Sequence, residues 1–130
     1  MTGGDDQSLR VTVLGWDASS AELTERAACH LPNAHWSAVK AVSIMPGSDG
    51  QWVVFSAGSD SRLRVWELSI SPPLLVERAA ALVGVGLPTA LAVAARGAGS
   101  CAASWDVAVA GQGLQGMRWT ACSGNALIDK

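Results

Sequence analysis

Charge is scarce in this 130-residue chain: 15% of the residues are charged against 49% hydrophobic, and the formal net charge is −2 with a pI near 5.5. The apolar share excludes a disordered class. The missing basic excess excludes a general electrostatic grip on nucleic acid, so any RNA contact would be local. Arg26, Arg62, Arg64, Arg78 and Arg96 read as charges on solvated sheet faces. Cysteine is scarcer still. Cys29, Cys101 and Cys122 are far apart, with no Cys-x-x-Cys pair and no histidine at ligand spacing, which argues against zinc and for free, mostly buried thiols in a reducing compartment. The start of the chain lacks the apolar run of a secretory signal, since Met1 is followed by Thr-Gly-Gly-Asp-Asp, and a cytoplasmic location is expected. A long unbroken apolar run is also missing. Ala79 to Ala95 comes nearest, but Gly84, Gly86 and Pro88 cut it, with Gly97 just beyond, and predict two strands joined by a Gly-Leu-Pro turn instead of a membrane span.

What is present is a β-hairpin with its turn chemistry spelled out. Trp52 to Phe55 is a β-branched and aromatic run, Ala57-Gly58-Ser59-Asp60 is a turn cluster, and Leu63 and Val65 then alternate with Arg62 and Arg64 at period two. Glycine is expected to supply the positive φ of the reversal, and Asp60 to hold the turn by accepting from backbone amides two residues on.

The hairpin recurs. Gly4-Asp5-Asp6-Gln7-Ser8-Leu9-Arg10-Val11 aligns with Gly58-Ser59-Asp60-Ser61-Arg62-Leu63-Arg64-Val65 at a spacing of about 54 residues. Glu25-Arg26-Ala27-Ala28 echoes Glu77-Arg78-Ala79-Ala80 at about 52. Carried forward, the offset places Trp52 to Ser56 on Trp105 to Val109, and Leu63 on Leu114. This third unit is degenerate: Ala110-Gly111-Gln112-Gly113 turns without an aspartate, and Gly113 is left to supply the backbone. Ala18 to Leu31 has helical composition with capping residues before it. The repeat overrides that preference, because the matching Leu74 to Leu82 follows Pro72-Pro73 and has to be the same element.

Asp60 six residues before Trp66, with a small Ser-Ala-Gly-Ser run ahead of it and Glu67 after the tryptophan, resembles the WD repeat. Ala34-His35 stands where that family has Gly-His. The resemblance implies that His35, Ser56, Asp60 and Trp66 form a buried hydrogen-bonded chain, for which imidazole is suited because it can donate at one nitrogen and accept at the other. Ser56, His35 and Asp60 are also the residue types of a hydrolase triad. However, Ser56 lies in a strand pattern and no Gly-x-Ser-x-Gly elbow exposes it.

The expected fold is therefore all-β: a WD-repeat β-propeller fragment of two to three four-stranded antiparallel blades, not a closed ring. Residues 1–31 would end one blade, with strands Leu9 to Leu14 and Ala21 to Cys29. Residues 32–84 would form a complete one, with strands Ala38 to Met45, Trp52 to Ala57, Arg62 to Leu68 and Leu74 to Leu82. Residues 85–119 would form a degenerate last blade, with strands Thr89 to Ala95, Trp105 to Ala110 and Leu114 to Trp119. Pro46 to Gly50 is expected as a flexible turn and residues 120–130 as a frayed tail. Propellers close with four or more blades, so the sequence is expected to be part of a longer propeller, with exposed strand edges.

From Gly3 to Trp119 the chain also resembles the C-terminal part of the WD repeat-containing protein 6 family, regulators of a tRNA 2′-O-methyltransferase. The residues that carry this are the opening Gly-Gly-Asp-Asp-x-x-Leu-x-Val, the Ala-His followed by Val-x-Ser-Ala-x-x-Asp-x-Arg-Leu-x-x-Trp-x-Leu, and the closing Ala-Gly-Gln-Gly-Leu-x-x-x-x-Trp. Gly116 stands where an apolar strand residue would be expected. The resemblance implies a non-catalytic subunit that binds the methyltransferase acting on the wobble ribose and helps present the tRNA. S-adenosylmethionine would belong to the partner. No cofactor, metal or small-molecule substrate is expected here, because the glycines lie in β-turns without the strand-loop-helix context of a nucleotide loop. A general protein-interaction scaffold is the alternative.

Overall fold

The computed structural model describes residues 1–47, 50–99, 102–122 and 125–129. All of its regular elements are strands: β1 (Thr2–Gly3), β2 (Leu9–Asp17), β3 (Glu22–Leu31), β4 (Val39–Pro46), β5 (Trp52–Gly58), β6 (Arg62–Ile70), β7 (Pro73–Leu82), β8 (Gly86–Gly99), β9 (Ala102–Cys122) and β10 (Asn125–Asp129). They make three antiparallel sheets, ordered β1-β2-β3, β4-β5-β6-β7 and β10-β9-β8. This is an open, propeller-like array of blades and not a closed ring.

Period-two alternation sends each strand's two faces to different neighbours. In the central sheet Val53, Phe55, Ala57, Leu63 and Val65 face the third sheet, where they pack on Trp105, Val107, Val109, Met117 and Trp119. The alternate residues Val54, Trp66 and Leu68 face the first sheet and pack on Leu9 and Val11. Phe55 meets Trp119 edge to face at 5.8 Å between ring centroids, and lies 6.3 Å from Trp105. The repeat is visible in the backbone too. Gln7 and Ser61 both adopt left-handed φ, at 67° and 54°. Gln7 N donates to Gly4 O, and Ser61 N to Gly58 O.

Several expectations need correction. The left-handed residue of the central hairpin is Ser61, not Gly58. Asp60 Oδ1 accepts from Arg62 N at 3.1 Å, and this tether holds Ser61 in place. The connection between the second and third sheets is Val83 to Val85, both valines being buried, while Gly86-Leu87-Pro88 lies inside β8 at a register shift. Trp105 to Ala110 and Leu114 to Trp119 belong to one element, β9, because the aspartate-free turn stays extended through the reversal. That β9 folds back follows from its contacts. Asp106 and Arg118 would be about 40 Å apart in a straight strand, yet they form an ion pair at 3.1 Å, and Trp105 and Trp119 stack at 4.8 Å. Gly113, at φ 129°, lies at the bend. Finally, Asn125–Asp129 is not a frayed tail: it pairs as β10 with Arg118 to Cys122, whose free edge accepts a fourth strand. Cys101, and part of the Pro46 to Gly50 turn and of the tail, lie outside the described residues.

Candidate functional site

His35 is brought to its place by backbone bonds that precede any side-chain chemistry. In the connection between β3 and β4, its N–H donates to Gln7 O of the first sheet at 3.2 Å, and Ser59 N donates to Ala38 O at 2.9 Å. The ring then enters the joint between first and second sheets, where it is fully buried. Its Nε2 lies 2.8 Å from Ser56 Oγ, its Nδ1 3.0 Å from Asp60 Oδ1, and Trp66 Nε1 donates to Ser56 Oγ at 2.8 Å. All four residues singled out in the sequence thus meet in one chain.

Counting donors fixes the two ends of the chain. The indole N–H can only donate and the carboxylate can only accept. Trp66 therefore donates to Ser56 and His35 Nδ1–H donates to Asp60, and with the imidazole neutral Nε2 is left as the acceptor of the Ser56 hydroxyl proton. Burial lowers the His35 pKa below its ordinary 6.5, against the opposing pull of Asp60. For Asp60, burial acts to raise the pKa, but hydrogen bonds from Trp36 N, His35 and Arg62 N outweigh it and leave the pKa below 3.8. Distances alone would suit a Ser-His-Asp triad. Yet Ser56 is wholly buried, its proton is committed to His35, and a lone pair is taken by Trp66, so a substrate carbonyl has no approach.

Two residues of the site escaped sequence reasoning. A Cβ on Gly58 would lie 2.5 Å from His35 Nδ1 and 2.8 Å from Asp60 Oδ1, so this glycine makes room for the ring instead of turning the chain. A glycine just before a turn aspartate suits both roles, and only the ring's position decides. Trp36, next to His35, is 70% exposed, with its N–H held by Asp60 Oδ2 at 3.0 Å and Arg62 stacked 4.3 Å from its ring centroid. The backbone bond and the Arg62 contact thus place this aromatic at the surface, the kind of group that anchors protein contacts.

In the third sheet the same positions are apolar. Val83 N donates to Ser61 O as His35 N does to Gln7 O. By the repeat offset Val109 replaces Ser56 and Met117 replaces Trp66, and all three are buried in the joint between second and third sheets. Among the described residues no group of three or more histidine, cysteine or acidic side chains could hold a metal, and no helix is long and apolar enough to cross a membrane. No family model matches the chain, and neither does any protein of curated function.

Proposed function

We propose that this protein is a non-catalytic WD-repeat subunit that binds a tRNA 2′-O-ribose methyltransferase and assists its action on the wobble nucleotide of the anticodon loop. The partner reading rests on the family resemblance over Gly3 to Trp119. The observation that carries the non-catalytic half is the closed hydrogen-bond chain: its catalytic-looking residues spend their donors and acceptors on one another inside a sheet joint. Catalytic power would come from the partner, together with S-adenosylmethionine, and tRNA would be reached through the complex, in the cytoplasm. A paired guanidinium such as Arg64 or Arg78 is committed to a carboxylate, which agrees with an indirect hold on RNA.

A general interaction scaffold is the second reading, favoured by the exposed Trp36. Affinity purification from cytosol separates the two, with a tRNA methyltransferase expected in the eluate and ligase or kinase components pointing to the scaffold. Adding the intact protein to purified methyltransferase and tRNA is expected to raise methyl transfer to the wobble ribose. No stimulation sinks the regulator reading, and methyl transfer by the protein alone overturns the non-catalytic one.

A further inference from the structure

One end of the joint between the first and second sheets carries a pair of side chains that the repeat does not call for. Three loops frame it, residues 4–8, 32–38 and 59–61, and these loops, like both sheets, lie inside the chain. Here Arg62, the first residue of β6, lies 4.3 Å from the Trp36 ring centroid, and its register partner Leu82 on β7 is 58% exposed. The corresponding positions elsewhere are small. Because Val83 N bonds to Ser61 O as His35 N does to Gln7 O, Gly84 stands where Trp36 does, and its N–H donates to Gln115 Oε1 at 2.6 Å as that of Trp36 does to Asp60 Oδ2. The repeat puts Ser8 and Gly113 at the place of Arg62. The fold is thus built at this position without an indole or a guanidinium, and an indole left 70% exposed buries little apolar area for stability. Tryptophan and arginine are, however, the side chains that most often dominate a protein contact.

The charge of the pair is also open. Arg10, Arg64, Arg78, Arg96 and Arg118 each form an ion pair with a carboxylate, whereas Arg62 forms none among the described residues. Asp60, next to it in the turn, is committed to His35, Trp36 N and Arg62 N. On the 4–8 turn that meets His35, Asp5 holds Lys40 at 2.8 Å and Asp6 accepts from Ser8. Among the described residues this leaves Arg62 as the open cation at this end of the joint, with aspartates around it. A nucleic-acid strand needs several clustered cations and matches poorly. A guanidinium over an aromatic ring still offers its N–H fork to one carboxylate, so a single acidic side chain beside an apolar one matches well.

We propose that Trp36, Arg62 and Leu82 form the docking point for an acidic segment of a protein partner. The Arg62 fork takes an aspartate or glutamate side chain of that segment, and the apolar or aromatic residue next to it lies on Trp36 and Leu82. This deepens the reading of the protein as a binding subunit and rests on it, without depending on the methyltransferase as the partner.

The test is selection of a random peptide phage library on the immobilised intact protein, followed by binding measurements with the synthetic peptides recovered. Peptides with Asp or Glu next to an apolar or aromatic residue should be enriched. Trp36→Ala and Arg62→Gln should each weaken their binding by about tenfold or more, with unchanged circular dichroism, and selection on Arg62→Glu should enrich Lys or Arg instead. No enriched peptide, enrichment without an acidic residue, or peptides that bind both variants as well as the unsubstituted protein overturns the proposal. So does a labelled oligouridylate that binds the intact protein and is lost on either substitution, because the site would then be one for nucleic acid. A failed selection alongside stimulated methyl transfer removes the docking point and leaves the methyltransferase reading standing. The expected peptides without any stimulation leave the docking point standing and remove the methyltransferase.

Discussion

Ser56 has one hydroxyl proton and two lone pairs, and its neighbours claim the proton and one lone pair. Removing any member of the chain therefore strands a buried partner, which costs about 1 to 3 kcal/mol. Asp60→Ala and His35→Ala should each destabilise by that order in denaturant titrations. The double variant should lose clearly less than the sum, because both changes break one network; additive losses would show that the two residues act separately. Acid should act on the same chain. The folded pKa values of His35 and Asp60 are both lowered, so the stability they confer is complete above their unfolded values and is lost as pH falls through the folded ones. The melting temperature should therefore begin to fall below about pH 6.5, and His35→Gln should remove that first decline. A melting temperature equally flat for both proteins down to pH 5 would contradict the assignment. The four residues were legible through the resemblance to the WD repeat, which implies that they meet. Gly58 and Trp36 were not, because their roles depend on where a ring from another strand comes to lie.

For the strands, alternation and turn residues were enough wherever one face meets a core: β5 and β6 fall within about two residues of their expected bounds. The readings that failed share a physical cause. At β8 and β9 the run of alanine, valine and glycine has little size contrast, so neither the bend at Gly113 nor the register shift near Gly86 marks itself. β10 was missed because Asn125–Asp129 is short, and it finds its place only through the edge of β9. Phe55 shows how strongly the clear positions count. Buried between Trp105 and Trp119, it joins the second and third sheets. Phe55→Ala should cost about 3 to 5 kcal/mol, with a red shift of tryptophan emission at lower denaturant. A loss below about 1 kcal/mol would mean that the sheets are held chiefly by other contacts.

Across the whole molecule, three sheets meet in two joints of one geometry but opposite lining. The first joint holds the indole-to-carboxylate chain; the second holds Val83, Val109 and Met117. Among the described residues, the first holds the buried pair whose pKa values the fold lowers, His35 and Asp60. The order of dismantling is therefore written into the stack. As acidity rises, the first joint is the one expected to weaken, because it holds His35 and Asp60, whose pKa values the fold lowers. A molecule built by repeating one unit is thus expected to loosen unevenly, from the end whose seam is wet with hydrogen bonds toward the end whose seam is dry.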